Sequence, residues 1–245
     1  MQLVAVIGLA AAVFVGASTQ RISGMGFALV SSPFLVMVLG PHDGVMLVNL
    51  LGACSSLLIF AQVFRQVEYR KVAFMLIPAM LMTVPGAWLA NSLEGPWLSI
   101  GISFMVILAL VSSFMIRDLA MAQSKGLAVG AGAVSGFMSV TAGVSGPAIA
   151  GYAVASRWPQ AQFAISVQLY FLVLSLTSLA AKGGMPHLDW QQWGACLGAM
   201  VLGILLGNYL APRIPQKFSR AFVILIAFGG AVSLMASGLV DLASH

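Results

Sequence analysis

An all-α polytopic membrane protein is predicted, built as two inverted-topology repeats that each open with a short broken, re-entrant helical hairpin and continue with three transmembrane helices. Three observations predict it: the balance of apolar and charged residues, the spacing of long apolar segments, and a pair of glycine-rich interruptions in matching places.

Apolar residues make up 60% of the 245-residue chain and charged residues 7%, and the mean hydropathy is +1.03. A soluble domain needs a polar surface that this composition does not provide. The apolar runs are long and continuous rather than short and alternating, so the backbone has to be satisfied within helices and not within a barrel. A net charge of +5 does not mark a nucleic-acid binder, because the basic residues stand singly or in small groups between apolar runs, where they act as topology signals. Cys54 and Cys196 fall within apolar segments at no metal or redox spacing, so no metal site and no cofactor are expected. The first residues, Met1-Gln2, lack a positive region, and the first apolar run ends at Gln20-Arg21 without a small-residue cleavage site, so no cleavable leader is expected.

In chain order, the first five apolar segments lie at about Leu3 to Thr19, Phe27 to Leu39, Gly44 to Phe64, Val72 to Ser92 and Trp97 to Ile116. After a polar interval come Leu127 to Val140, Ala148 to Ser156, Gln160 to Ala181, Trp190 to Ala211 and Phe218 to Ser237. Two sets of five suggest a duplication. Val67-Glu68-Tyr69 resembles Leu188-Asp189-Trp190, and Gly86-Ala87-Trp88-Leu89-Ala90 resembles Gly207-Asn208-Tyr209-Leu210-Ala211, both at an offset of 121; Gly16 and Gly26 match Gly136 and Gly146 at 120. Residues 1–116 are therefore read as the first repeat, 117–125 as a cytoplasmic linker and 126–245 as the second, inverted repeat, within one membrane domain.

Charge sets the orientation. With simple alternation, Arg21, Arg65, Arg70, Lys71, Arg117, Lys125, Arg157, Arg213, Lys217 and Arg220 share one side and Lys182 alone takes the other. That side is the cytoplasm, and both termini are expected in the periplasm. Fusing the first two segments of each half into one crossing scatters the same residues over both faces and is rejected. At about 1.5 Å per residue, Phe27 to Leu39 covers roughly 20 Å and Ala148 to Ser156 roughly 14 Å, against a hydrocarbon core of about 30 Å, so neither is expected to span.

The interruptions between the short segments and their predecessors are Ser23-Gly24-Met25-Gly26 and Thr141-Ala142-Gly143-Val144-Ser145-Gly146-Pro147. A helix that starts inside the membrane leaves N–H groups without carbonyl partners and carries partial positive charge there, which suits an anion. Glycine lets a ligand approach the backbone, and Pro147 fits a first helical turn. The candidate substrate-binding residues are Ser23, Gly24, Gly26, Thr141, Gly143, Ser145 and Gly146, with Asn49 and Gln168 completing a polar shell from the third segments, Ser31 and Ser32 as further hydroxyls, and Arg21 beside the first turn. The anion is expected between the two turns near the midplane, as in secondary transporters built from broken helices. Glycine and serine also serve close helix packing. Arg21 has a competing role facing the cytoplasmic surface, since Thr141 stands at its matching position, and Glu68 and Asp189 at matched helix starts complement the helix dipole.

These residues resemble a known family. The two turns, the Gly40-Pro41 and Trp158-Pro159 steps into the third segments, and the duplicated length are together similar to the TauE/SafE sulfite exporter family, also called the toluene sulfonate uptake permease family. The resemblance covers essentially the whole chain. It implies an inner-membrane carrier of small sulfur-containing anions such as sulfite, sulfonates or sulfoacetate. Gly24-Met25-Gly26 departs from the family's commoner consecutive glycines at the first turn.

Energetics favours export. With the interior negative by about 100 mV, each negative charge leaving gains about 2.3 kcal/mol. Import would need a coupling ion, and Asp43, Glu68, Glu94, Asp118, Asp189 and Asp241 all stand at segment edges. Catalysis is not expected: Gly143-Val144-Ser145-Gly146 has the form of a rhomboid protease nucleophile, but His42, His187 and His245 lie at segment ends or the terminus, where no general base reaches a mid-membrane serine. An anion channel and a non-transport assembly subunit are the alternatives, and association into a homo-oligomer is left open.

Overall fold

The computed structural model describes residues 2–23, 26–115, 125–214 and 216–243. Their regular structure is helical throughout: α1 (Gln2–Ser23), α2 (Phe27–Leu39), α3 (Pro41–Val63) with a 3₁₀ turn at Phe64–Gln66, α4 (Tyr69–Ser92), α5 (Gly95–Met115), α6 (Lys125–Ala142), α7 (Gly146–Ala155), α8 (Gln160–Lys182), α9 (Trp190–Leu210) and α10 (Gln216–Ala243). The helices begin and end within a few residues of the apolar runs, because the apolar periodicity and the Gly and Pro interruptions set them locally. Among the described residues, α1, α3, α4, α8, α9 and α10 contain stretches long and apolar enough to cross a membrane, while α2, α7 and Gly95–Val111 of α5 are shorter. Exposed leucines, isoleucines and valines such as Leu81, Val84, Leu202 and Leu225 give these helices apolar outer faces, as lipid contact requires. The chain is a multi-pass membrane protein.

The second arm of each predicted hairpin is short, with 13 residues in α2 and 10 in α7. The first arm is longer than a re-entrant hairpin needs: α1 runs for 22 residues, about 33 Å. Residues 117–124 of the expected linker lie outside the described residues, and Lys125 opens α6.

The chain divides into two compact units. One comprises Met1–Val48, Glu94–Val106 and Met185–His245. Within it α1 packs chiefly along α9 and also against α2, and α10 packs on α2. Small residues permit this: a methyl added at Gly203 or Gly207 would press into the α1 backbone at Phe14 and Ser18, at 2.6 and 2.9 Å from their carbonyl oxygens. Ser18 Oγ donates across the same seam to the Gly203 carbonyl at 3.1 Å. Gly230 of α10 lies against Phe34 and Pro33, and Gly238 against Pro96 and Ser99 of α5.

The other unit comprises Asn49–Leu93 and Ile107–Gly184. Its main pairing is α4 with α6, supported by α8 on both and by α7 folding back on α6. Gly132 and Gly136 of α6 rest directly on the backbone of Met75 and Ala79 of α4, so that any side chain there would collide with main chain. Gly86 of α4 meets Val140 and Phe137 of α6. Four-residue spacing of small residues lets two helix backbones approach within a membrane, where dispersion and hydrogen bonding hold helices together without a hydrophobic driving force between them. Pro78 and Pro85 lie inside α4, where proline lacks the N–H that would reach the carbonyl four residues earlier, and Thr83 Oγ1 donates within the same helix to the Met80 carbonyl at 2.7 Å.

Candidate functional site

Both predicted interruptions are helix breaks. At the first, α1 stops at Ser23 and α2 starts at Phe27. Gly26 is buried, and its carbonyl accepts from Val30 N at 3.1 Å. Gly24, Met25 and the Ser23 side chain lie outside the described residues. Ser31 Oγ donates to the Ala12 carbonyl at 3.0 Å and so fastens α2 to α1. Gly16 faces this contact, and a methyl there would fall onto Ser31 and Phe27. Ser31 and Ser32 are both fully buried.

Arg21 sits in the last turn of α1, its Cβ against Gly207 of α9. It is half-buried, and its Nε is enclosed with no hydrogen-bond partner among the described residues.

The second break is organised by the serines of α6. Gly143 closes α6 in the left-handed region at φ +72°, its N–H donating to the Ser139 carbonyl at 2.9 Å while Val144 N–H reaches Met138 at 3.3 Å. A non-glycine residue would be strained there by its Cβ. Ser135 Oγ donates to the Ser145 carbonyl at 2.7 Å, and the fully buried Tyr170 holds its phenol oxygen with no hydrogen-bond partner among the described residues. One turn along, the Asn49 amide donates to the Ser139 carbonyl at 3.1 Å, Ser139 Oγ lies 3.2 Å from Asn49 Oδ1, and Ser178 Oγ donates to Ser139 Oγ at 3.0 Å. Two serines four residues apart thus tie the turn to α3 and α8.

Beyond the turn, α7 begins at the buried Gly146 with Pro147 in its first turn and no capping side-chain bond. The first N–H groups of a helix have no partner within it, and here they start inside the packed unit beside the buried Ser145. The Thr141 hydroxyl donates back to Phe137 O at 2.7 Å. Gln168 is buried; its Nε2 donates to the Ala164 carbonyl of its own helix at 3.0 Å, and its Oε1 is enclosed without a partner among the described residues. A ligand reaching Gln168 Oε1 would have to bring a hydrogen-bond donor.

Of the predicted residues, Asn49, Thr141, Gly143, Ser145, Gly146 and Gln168 belong to one unit, and Arg21 and Gly26 to the other. Ser135, Ser139, Tyr170 and Ser178 were not among them. The signal for the serines was present as a second small-residue pair, Ser135 and Ser139, interleaved with Gly132 and Gly136 on the same helix.

The matched acids differ in what they do. Asp189 forms a capping box with Gln192, whose Oε1 accepts from Asp189 N at 3.0 Å. Glu68 makes no such cap. Its carboxylate pairs with Lys71 Nζ at 2.6 Å and accepts from Trp158 Nε1 at 3.3 Å. Among the described residues no group of His, Cys, Asp and Glu side chains could hold a metal ion.

A family model described as "Sulfite exporter TauE/SafE" matches residues 8–234. No curated protein matches the chain, and no solved structure does.

Proposed function

The chain belongs to the sulfite exporter TauE/SafE family, a family of membrane transporters and not enzymes, and on that premise we propose that it exports small sulfur-containing anions of the sulfite, sulfonate or sulfoacetate type. The observation that carries this reading is the uncapped start of α7 at the buried Gly146-Pro147. Free N–H groups and the positive end of a helix dipole favour an anion without placing a fixed charge in the membrane. Ser145 adds a neutral hydroxyl, and Thr141, whose hydroxyl donates to the Phe137 carbonyl, would have to exchange that bond for one to the anion. The enclosed Nε–H of Arg21 at the other break, without a partner among the described residues, supports a second point of attraction for negative charge, and Gly26 permits close approach to the backbone there; Ser23 and Gly24 are included from the sequence alone.

The repeat reading, with 1–116 and 126–245 inverted about the linker, is supported by the helix pairing. Gly86 of α4 packs on α6 and Gly207 of α9 packs on α1, so each matched glycine meets the opening helix of the opposite half. Alternating access by motion of one half against the other follows, in a bacterial inner membrane with both termini periplasmic.

Purified protein is heated in the presence of sulfite, sulfate, thiosulfate, sulfoacetate, taurine, an aromatic sulfonate or chloride, since a ligand selective for the folded state raises Tm by mass action. A saturable rise with one sulfur anion, lost in Gly146→Leu, is expected. No rise with any anion would sink the proposal.

A further inference from the structure

Among the described residues, the cations at one end of the α4-containing unit are far more numerous than its anions, and they are gathered by contacts that have no part in the broken-helix site. The segment after α7 and the start of α8 dock on the start of α4 and the turn before it, where Glu68 N also donates to Ser166 Oγ at 3.0 Å. Trp158 Nε1 donates to Glu68 at 3.3 Å, Lys71 Nζ stands 4.9 Å above the Trp158 ring, and Gln162 Nε2 donates to the Gln66 carbonyl at 2.6 Å. Docking brings Arg157 to the same loop cluster as Arg65, Arg70 and Lys71. Lys125 joins them, its Nζ 5.9 Å from the ring of Phe74, one helical turn beyond Arg70. Arg65, Arg70, Arg157 and Lys125 are exposed, and the salt bridges among the described residues reach none of them; Glu68, the one acid among the described residues here, is taken by Lys71.

Three features place this cluster at headgroup depth. The candidate spans Pro41–Gln66, Tyr69–Ser92 and Gln160–Lys182 all end or begin there. Exposed Phe64 and Tyr69 flank it, tied by the Tyr69 hydroxyl donating to the Phe64 carbonyl at 2.7 Å, and aromatic rings of this kind anchor at the membrane interface. Arg65 lies against the Phe64 ring at 5.5 Å, which steers its guanidinium along the protein surface. Arg157 is, in addition, the one non-glycine residue among those described with positive φ, at 51°. It closes α7 where glycine would fit with less strain, with Trp158 N bonding back to Ala153 O at 2.9 Å.

We propose that Arg65, Arg70, Arg157 and Lys125, flanked by Phe64 and Tyr69, form a binding site for the phosphodiester headgroup of an acidic phospholipid. Guanidinium groups bind phosphate oxygens in a fork, and each basic residue at an anionic membrane surface adds to the attraction. The reading is independent of which solute the protein carries.

The full chain is reconstituted in discs of phosphatidylcholine alone and of equal parts phosphatidylcholine and phosphatidylglycerol, and Tm is measured at low and high salt. A rise of about 5 °C or more with phosphatidylglycerol is expected, shrinking in high salt. The Arg65→Gln/Arg70→Gln/Arg157→Gln variant should lose most of that rise, while Arg213→Gln keeps it. Glycerol phosphate added to phosphatidylcholine discs tests for a soluble anion and should produce no rise. The proposal is overturned by a wild type indifferent to phosphatidylglycerol, by an equal rise in the triple variant, or by a rise reproduced with glycerol phosphate. If the triple variant does not fold, Arg70→Gln alone is compared with wild type for retained phosphatidylglycerol by native mass spectrometry, where equal retention overturns it.

Discussion

Asn49 and Ser139, 90 residues apart in the chain, hold each other through two contacts, amide to carbonyl at 3.1 Å and hydroxyl to amide oxygen at 3.2 Å. Both the nitrogen and the oxygen of the Asn49 amide are thereby engaged in fixing the last turn of α6 just before Gly143. Asn49 supports the broken-helix turn through Ser139 and is a positioning residue.

Removing Asn49 leaves the Ser139 hydroxyl proton without its acceptor and leaves the Ser139 carbonyl with the Gly143 N–H alone. Asn49→Ala is expected to lower stability by about 1–2 kcal/mol, the range for buried groups that lose a partner within a membrane. Thermal unfolding in detergent checks it; a variant indistinguishable from wild type would contradict the clamp.

Gly136 has no room for a methyl group because Ala79 main chain occupies the space, whereas Gly130, on the same helix, faces open space. Gly136→Ala should therefore separate α4 from α6 and destabilise by about 1–3 kcal/mol, as overpacking does. Gly130→Ala should change stability by no more than about 1 kcal/mol, in the stabilising direction, through helix propensity. The difference in thermal inactivation between the two is the test.

At Gly143 the left-handed backbone is itself a constraint. Gly143→Ala is expected to cost about 1–2 kcal/mol, and Gly143→Asn less, because a short polar side chain tolerates that conformation better. Equal losses in Tm for the two would argue for a steric cause instead.

Arg157 presents the opposite case. Replacing it with glycine relieves a left-handed arginine and should stabilise the protein by about 1 kcal/mol in neutral detergent. Loss of stability in Arg157→Gly under those conditions would mean that the side chain contributes to the fold itself.

The two helix breaks were legible because their signals are local: glycine next to hydroxyl residues interrupts an apolar run, and proline follows at a first-turn position. The matched acids show where locality ends. Glu68 and Asp189 stand at equivalent helix starts, and the prediction that both complement a dipole fits Asp189, whose cap partner Gln192 is three residues away. Glu68 instead answers to Lys71 and to Trp158, 90 residues distant.

The sequence by itself determined that the chain is helical, membrane-embedded and broken before Phe27 and before Gly146, since hydropathy and backbone freedom act over a few residues. Only the tertiary structure decided that Gly132 and Gly136 lie on α4 while Gly16, the apparent match of Gly136, lies on α2, and that Asn49 is held by Ser139. Those outcomes depend on which face of each helix turns toward which neighbour. In a chain that is apolar on nearly every face, hydrophobic pattern does not distinguish the faces, and close backbone contact and buried hydrogen bonds select among them.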